Sequence, residues 1–266
     1  MASISIIGTG YVGLCTAVGF ALKGHYVIAS TKDRSKADLI NKGRPPFYEP
    51  GLDELLKRVV EEGRLKCVVD RRGALLESDI TFITVATPSL PTGSIDLSLV
   101  RDAAQEIGEA LKDKPGYHLV VVKSTVVPGT TMEVVKPIIE ERSGKEAGPD
   151  FGLAMNPEFL REGSAMYDTL NPDRVVIGEL DKRSGDLLEE LYQEFYEGKV
   201  PILRTSLYTA ELIKYANNAF LAMKISFINS VANICERLPG VDVVEVARAI
   251  GMDRRISPHF LNAGVG

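Results

Sequence analysis

The segment ISIIGTGYVGLCTAVGFALKGH, residues 4–25, contains Gly8, Gly10 and Gly13 in a Gly-x-Gly-x-x-Gly pattern. An apolar, strand-like run precedes the glycines and a helix-like run follows them. In this context the first glycine allows a tight turn, the second lets a pyrophosphate approach the backbone, and the third lets helix and sheet pack closely. The pattern predicts a dinucleotide cradle at the N-terminus of a helix, where amide groups bind anions. The alternative is a glycine turn kept for packing alone.

Short apolar runs alternate with amphipathic, helix-like segments along most of the chain. Uninterrupted apolar runs are typical of strands buried on both faces of a parallel sheet. The alternation predicts an α/β fold with a Rossmann-like, doubly wound parallel sheet. The strand-like runs occupy residues 3–7, 26–30, 79–85, 118–124, 151–156 and 174–178.

The alternating pattern fades after about residue 203, and residues 206–238 then contain neither Gly nor Pro. We predict one long helix there, roughly 45–50 Å at 1.5 Å per residue. Such a helix is a spine that links two domains or two subunits. The predicted organisation is a dinucleotide-binding domain at 1–203, followed at 204–266 by the long helix and the start of a central, dimerising domain.

Composition excludes some broad classes of function. The net charge is −5, which argues against a general binder of nucleic acids or anionic membranes. No uncharged run reaches the length of a membrane span, and the first residues lack the basic region of an export signal. The three cysteines are scattered, without disulfide or zinc spacing, so we expect a cytoplasmic protein and no metal.

The second predicted strand ends in an unusual residue for an NAD site. An acid normally grips the ribose diol there, but this position is Thr31, followed by Lys32, Asp33 and Arg34. Lys32 and Arg34 could receive the 2′-phosphate of NADP, so the expected cofactor is NAD, with NADP as a live alternative. In the simpler interpretation, these charges are solvated and Asp33, or no acid, meets the ribose.

Seven motifs occur in order: GTGYVG, PPFYEPGLDELL, TPSLPTGSIDLS, VVKSTVVPGT, NPEFLREGSA, LNPDRVVIG and AELIKYANNAFLAMKISFIN. Together they closely resemble the UDP-glucose/GDP-mannose 6-dehydrogenase family over the whole chain. The resemblance implies oxidation of a sugar primary alcohol to a carboxylate by two NAD, through a cysteine-bound thiohemiacetal and thioester. YEPGL and NPEFLREG are the most specific motifs, and the second favours UDP-glucose as the substrate over N-acetylmannosamine nucleotides.

The resemblance also implies roles for individual residues. Thr125 would orient a catalytic water, Glu162 would be a base, and Lys214 and Asn218 would hold the reacting centre. The cofactor-binding residues would be Gly8, Thr9, Gly10, Tyr11, Val12, Gly13, Thr31, Lys36, Val85, Thr87, Pro88, Ser124, Thr125 and Glu162. The substrate-binding residues would be Glu158, Phe159, Leu160, Arg161, Glu162, Lys214, Asn218, Arg255, Phe260, Leu261, Asn262 and Gly264.

Residue chemistry gives independent support to two of these groups. Lys214 and Asn218 lie four residues apart, hence on one helix face, and offer two donors to a developing oxyanion. Glu158 and Glu162 follow a predicted strand, at the edge where open α/β sheets bind ligands, and one could act as a base. The alternatives are a solvated Lys–Asn pair and a surface charge cluster that includes Arg161.

The chain ends on FLNAGVG, which in the family leads into a glycine-rich turn with the nucleophilic cysteine. We therefore expect the family's C-terminal α/β domain and that cysteine to lie outside these residues, and the chain alone to be inactive. Cys15, Cys67 and Cys235 are interpreted as packing residues. Expected partners are a UDP-sugar and a second copy through the long helix. Alternatives are a GDP-mannose or other nucleotide-sugar 6-dehydrogenase, a β-hydroxyacid dehydrogenase-like single oxidation, or a non-catalytic nucleotide-binding or dimerisation module.

Overall fold

Strands within residues 1–265, the part of the chain that the computed structural model describes, form one sheet in the order β3-β2-β1-β4-β5-β6-β7-β8. The order of the first six strands is that of dinucleotide-binding Rossmann folds. The strands are β1 (Ser3–Ile7), β2 (Tyr26–Ser30), β3 (Leu65–Val68), β4 (Ile80–Ile83), β5 (Leu119–Val122), β6 (Gly152–Met155), β7 (Val175–Glu179) and β8 (Ile202–Ser206).

Helices separate the strands and continue beyond the sheet. They are α1 (Tyr11–Leu22), α2 (Arg34–Asn41), α3 (Leu52–Glu61), α4 (Arg71–Leu76), α5 (Ser98–Asp113), α6 (Lys136–Ser143), α7 (Ala165–Leu170), α8 (Lys182–Tyr196), α9 (Leu207–Cys235) and α10 (Val243–Gly251). A π-helical segment, Thr130–Val135, leads into α6. No helix in the described part of the chain is both long enough and apolar enough to cross a membrane.

The prediction of a doubly wound parallel sheet is confirmed for β1 to β6, whose neighbours all pair in parallel. The pair β6–β7 is antiparallel, with Ala154 opposite Glu179, and β7 then pairs in parallel with β8. A parallel neighbour needs a connection that crosses back over the sheet. The segment between β6 and β7 contains only the six-residue helix α7, so β7 and β8 run opposite to the other strands.

The first helix explains why the cradle is held rigidly. Every residue of α1 from Gly13 to Ala21 is buried, which is typical of a helix enclosed on all sides. Phe20 on this helix lies 5.3 Å from Phe82 of β4 and 5.2 Å from Phe195 of α8, measured between ring centroids. The aromatic cluster therefore fixes α1 against the sheet and fixes its N-terminus beside the end of β1.

The long helix α9 spans 29 residues, roughly 43 Å, so the predicted helix at 206–238 ends three residues early, at Cys235. Contacts between residues divide the chain into two compact units, of which the first spans Met1–Leu212 and the second begins at Ile213. The helix therefore contributes to both units. The boundary predicted between residues 203 and 204 lies inside β8.

A network of buried polar side chains links neighbouring strands of the sheet. The Ser5 and Thr81 hydroxyls are 2.6 Å apart, and Thr81 Oγ1 is 2.7 Å from His118 Nε2. Lys114 Nζ donates to the carbonyl oxygens of Leu75, at 2.8 Å, and Ser78. Burial and the nearby Lys114 charge lower the pKa of His118 to about 3, so the imidazole is neutral at physiological pH.

Candidate functional site

Two glycines of the cradle are tightly enclosed, whereas the third faces open space. A Cβ atom at Gly13 would lie 2.1 Å from the Gly8 carbonyl oxygen, and one at Gly8, where φ is +111°, would lie 2.8 Å from the Thr84 carbonyl oxygen. A Cβ atom at Gly10 would meet nothing within 4 Å. The turn is thus closed where chain packs on chain and open where a pyrophosphate would approach.

The N-terminus of α1 is arranged to bind an anion. The capping residue Gly10 offers no side chain to the first amides, and the first turn contains no acid. The first intrahelical hydrogen bond runs from Leu14 N to Gly10 O at 2.9 Å, so the amides of Tyr11, Val12 and Gly13 precede it. These amides and the helix dipole give a site for phosphate oxygens. Thr9 is buried at the base of the turn.

The loops after β4 and β5 are joined to each other beside the cradle. Thr87 Oγ1 donates to Thr125 O at 2.7 Å, and Ser124 Oγ donates to Val85 O at 2.6 Å. These bonds bring four of the predicted cofactor residues together at the carboxyl ends of two neighbouring strands. Pro88 lies in the same loop and is exposed.

A buried carboxylate holds the loop that follows Thr125. Glu211 on α9 accepts hydrogen bonds from Gly129 N at 2.6 Å, Thr131 N at 2.8 Å and Thr131 Oγ1 at 2.6 Å. Burial raises the pKa of Glu211, and the bonds from Thr131 and Gly129 oppose this shift. The beginning of α9 is therefore fixed to the turn that opens the π-helical segment.

The turn NPEFLREG follows β6, and several of its polar groups bond within the turn or to residues close by in the chain. Glu158 Oε2 accepts from Leu160 N at 2.6 Å, and the Phe159 ring centroid lies 4.0 Å from the Arg174 guanidinium. Arg161 makes a forked contact with Asp168, with Nη2 2.6 Å from Oδ1, and this hydrogen bond lowers the pKa of Asp168. Arg161 thus supports the turn, and Glu162 is exposed at its end.

A buried lysine joins the ends of β5 and β6. Lys123 Nζ donates to Asn156 Oδ1 at 2.7 Å, and Tyr192 OH donates to the same oxygen at 2.5 Å. Asn156 Nδ2 donates in turn to Val176 O at 2.8 Å. Asn156 is the first residue of the NPEFLREG turn, and Lys123 directly precedes Ser124. These contacts therefore join the turn after β6 to the loop after β5.

Two sequence motifs far apart in the chain meet at Glu49 of YEPGL. Glu49 is fully buried, and its Oε2 accepts from Gly163 N at 3.0 Å, at the end of the NPEFLREG turn. Its neighbour Phe47 lies 4.2 Å from the Tyr11 ring, measured between centroids, whereas Tyr48 is 80% exposed. The segment from Phe47 to Glu49 therefore contacts both the cradle and the turn after β6.

We expect Glu49→Ala to lower the free energy of unfolding by about 2 kcal/mol, because it removes the acceptor of the Gly163 amide and leaves a cavity where a fully buried side chain was. Hydrogen exchange at the Gly163 amide should become faster. The matched control is the exposed neighbour: Tyr48→Ala should change the free energy of unfolding by less than about 0.5 kcal/mol. Unchanged exchange at Gly163 in the Glu49 variant would contradict the contact.

The end of β2 is surrounded by paired charges. Asp33 caps α2, its Oδ1 accepting from Ser35 N at 2.9 Å and Lys36 N at 3.3 Å. Thr31 Oγ1 accepts from Asp33 N at 3.2 Å. Lys32 Nζ lies 3.0 Å from Asp102 Oδ2. Lys36 is exposed in the first turn of α2.

The remaining predicted residues belong to the second unit. Lys214 and Asn218 lie on α9, where Lys214 is buried and Asn218 is exposed. Arg255 pairs with Asp253, with Nη2 2.6 Å from Oδ2. Phe260 has a φ of +63°, a conformation that costs free energy in a residue other than glycine.

The last described residues are attached to α9. Leu261 is buried and Asn262 is exposed. Gly264 N donates to Asn229 Oδ1 and Asn229 Nδ2 donates to Gly264 O, both at 2.8 Å. Lys224 Nζ also donates to Ile256 O at 2.9 Å. Of the terminal Gly-x-Gly, Gly266 lies outside the described residues.

The three cysteines are buried, without a disulfide. Burial, and secondarily the Glu49 charge, raises the pKa of Cys15 to about 12, and burial raises that of Cys67 to about 12. Since the thiolate is the nucleophile, neither residue has the lowered pKa of a catalytic cysteine.

Comparison with known families decides how this geometry is interpreted. Residues 2–196 match the model of the UDP-glucose/GDP-mannose dehydrogenase family, NAD binding domain. The chain belongs to the UDP-glucose/GDP-mannose dehydrogenase family. Residues 208–266 match the central domain of the same family. The resemblance inferred from the seven motifs is thereby confirmed.

Individual relatives cover nearly all of this chain. It is 48% identical to a UDP-glucose 6-dehydrogenase of Haloferax volcanii, over 99% of this chain and 61% of the relative. It is 46% identical to a GDP-mannose 6-dehydrogenase of Pseudomonas aeruginosa, over 98% of this chain and 59% of the relative. The structure of a UDP-glucose dehydrogenase from Pyrobaculum islandicum aligns with a TM-score of 0.94 at 46% identity, covering 100% of this chain and 60% of that one. The chain thus spans about 60% of the length of such relatives.

The family's NAD-binding domain includes the cradle and the loops after β4, β5 and β6. The family match supports NAD(H) binding by this part of the chain, and the open space at Gly10 is compatible with a pyrophosphate. Sequence reasoning gave no role to Glu49, Lys123 or Glu211, although each lies inside a quoted motif. At Glu49 the available signal was its place beside Pro50 and Gly51, and at Lys123 it was a charge at the end of an apolar run.

Proposed function

We propose that this chain forms the dinucleotide-binding and central part of an NAD-dependent nucleotide-sugar 6-dehydrogenase, with UDP-glucose as the substrate and UDP-glucuronate as the product. The observation that supports this proposal most strongly is that two sequence motifs lie at the same edge of the sheet. The cradle follows β1 and the NPEFLREG turn follows β6. One segment contacts both, through the Phe47 ring on Tyr11 and the Glu49 bond to Gly163. Ligands bind at this edge in open α/β sheets.

The residues of the chain have distinct parts in this proposal. The α1 amides and Gly10 hold the pyrophosphate of NAD, which supplies the hydride acceptor. Thr125 orients a water molecule, with its backbone held by Thr87. Glu162 accepts a proton from the reacting alcohol or water. Lys214 and Asn218, one helical turn apart on α9, donate to the oxygen that develops negative charge.

The residues proposed to contact the nucleotide-sugar are Glu158 to Glu162, Arg255 and the segment from Phe260 to Gly264. GDP-mannose is a second candidate substrate, because a relative with that name is nearly as similar as the UDP-glucose enzymes. A homodimer through α9 is also proposed. Its second-unit part exposes the large apolar side chains of Phe220, Met223 and Phe227.

The decisive test is titration of the purified chain with UDP-glucose and with GDP-mannose in the presence of NAD, following heat and NADH absorbance. We expect UDP-glucose to bind at least about tenfold more tightly than GDP-mannose. We also expect no sustained release of two NADH per sugar, because the second oxidation needs a thiolate and Cys15 and Cys67 are protonated and buried.

Tighter binding of GDP-mannose would assign the other substrate. Sustained formation of UDP-glucuronate with two NADH per sugar would contradict the expectation that the second oxidation needs a thiolate, which Cys15 and Cys67 do not supply. Failure to bind NAD at all would overturn the proposed function itself. A single slow hydride transfer is compatible with the proposal, since positioning groups act weakly outside a closed and dry cleft.

A further inference from the structure

The position that normally excludes a 2′-phosphate contains no charge in this chain. An acid at the end of the second strand binds the ribose diol and repels the phosphate of NADP. Thr31 occupies this position, and its hydroxyl accepts a hydrogen bond from Asp33 N at 3.2 Å. Selection between the two dinucleotides must therefore depend on other groups near the end of β2.

Apart from Arg34, which is exposed at the start of α2, two cations lie near the end of β2 and would be natural partners for a phosphate. Lys32 directly follows Thr31, and Arg71 begins α4 shortly after β3. The ends of β2 and β3 are adjacent, since Thr31 N donates to Val68 O at 3.1 Å. The Arg71 side chain is only 12% exposed, and its Nε has no hydrogen-bond partner in the described part of the chain.

Both cations are already engaged by a pair of acids on α5. Lys32 Nζ lies 3.0 Å from Asp102 Oδ2 and 3.7 Å from Glu106 Oε1. Arg71 Nη1 donates to Glu106 Oε2 at 2.8 Å. Asp102 and Glu106 are four residues apart and lie on one face of the helix. The cluster of Lys32, Arg71, Asp102 and Glu106, here named the α5 acid clamp, has no net charge.

A cavity of about 230 Å³ adjoins the clamp, and its lining has more acids than cations, three against two. The lining residues are Val69, Asp70, Arg71, Arg72, Glu106 and Glu109. Arg72 is also engaged, by Asp113 at 2.7 Å. A phosphate dianion entering beside Thr31 would meet neutralised cations and would have to displace carboxylates from them.

We propose that Asp102 and Glu106 are specificity-determining residues, which select NAD over NADP by occupying the cations that would otherwise bind a 2′-phosphate. These two acids, both on α5, take over the selective role of the acid that normally occupies the position of Thr31. The inference rests on the proposed dinucleotide binding and adds the source of its selectivity. It requires no direct contact between the two acids and NAD.

The test compares NADH and NADPH affinity in the unmodified chain and in the double variant Asp102→Asn/Glu106→Gln, by cofactor fluorescence. We expect the unmodified chain to bind NADH at least tenfold more tightly than NADPH. The double variant should gain about tenfold in NADPH affinity, the value of one new charged hydrogen bond, and change less than about twofold toward NADH. Adding Lys32→Ala to the double variant should abolish the gain.

The matched control is Glu54→Gln/Glu61→Gln, on exposed positions of α3, which changes net charge equally and should leave both affinities within about twofold. The Lys32–Asp102 pair is exposed and contributes little to folding, and Glu106→Gln keeps an amide oxygen as acceptor for Arg71, so none of these variants should unfold. Equal gains in the control, or no gain in the double variant, would overturn the inference while NADH binding remains. A chain that binds neither cofactor would instead overturn the proposed function.

Discussion

Gly13→Ala is expected to lower the free energy of unfolding by about 3 kcal/mol or more, the cost of overpacking a rigid site. The added Cβ would lie 2.1 Å from the Gly8 carbonyl oxygen and 2.5 Å from Thr84 Oγ1. Neither atom can move freely, because one is backbone and the other is bonded to Ile7 O at 3.0 Å. Urea unfolding followed by circular dichroism measures the loss.

Gly10→Ala is the matched control, since the same methyl group there meets nothing within 4 Å and φ is −77°. It should cost less than about 1 kcal/mol, the scale of a helix-cap change. Its NAD affinity should nevertheless fall at least tenfold, equivalent to about 1.4 kcal/mol, because the methyl group fills the space left for the pyrophosphate. Unchanged stability of Gly13→Ala would contradict the close packing at that glycine, and unchanged NAD affinity in Gly10→Ala would contradict the space assigned there to the pyrophosphate.

The folded protein should lose stability steeply in mild acid because of one buried histidine. The pKa of His118 falls from its ordinary value of 6.5 to about 3 on folding, so the unfolded chain binds a proton that the folded chain does not between these limits. Stability is therefore complete above pH 6.5 and is lost as the pH falls toward 3. The full shift, from 6.5 to about 3, corresponds to about 5 kcal/mol, at 1.36 kcal/mol per unit.

The variant His118→Gln separates this effect from the titration of carboxylates. Glutamine keeps a polar partner for Thr81 Oγ1 but cannot gain a proton, so its stability should decline less between pH 6.5 and 3 than that of the unmodified chain. His259→Gln, at an exposed position, should retain the full decline. Parallel pH profiles for the unmodified chain and His118→Gln would contradict the assignment.

The sequence predicted the interior strands of the sheet better than its edges. The interior strands β1 and β2 have continuous apolar runs, because both of their faces are buried, and their predicted bounds are confirmed. The edge strand β8 is half-buried and contains Arg204 and Thr205, so no apolar run marked it. The reversal at β7 also left no local signal, since strand direction depends on where the intervening connection crosses.

Residues of the candidate site could be predicted from the sequence where only one residue type meets the physical requirement, as glycine does in a tight turn. The roles of Gly8, Gly10 and Gly13 follow from their spacing, and the space around each one agrees. Glu49 and Lys123 were missed because their partners lie elsewhere in the chain, at Gly163 and Asn156. The fork of Arg161 on Asp168 was also not predicted, because it depends on a local fold that composition does not reveal.

The Glu211 carboxylate has a practical consequence for anyone who wishes to dissect this polypeptide. Excision of the nucleotide-binding half at residue 203 would cut β8 and delete the only acceptor that the described residues provide for the Gly129 and Thr131 amides. The exposed donors would destabilise the neighbouring Thr125 loop. An autonomous fragment should therefore retain the opening turns of α9, through at least Leu212.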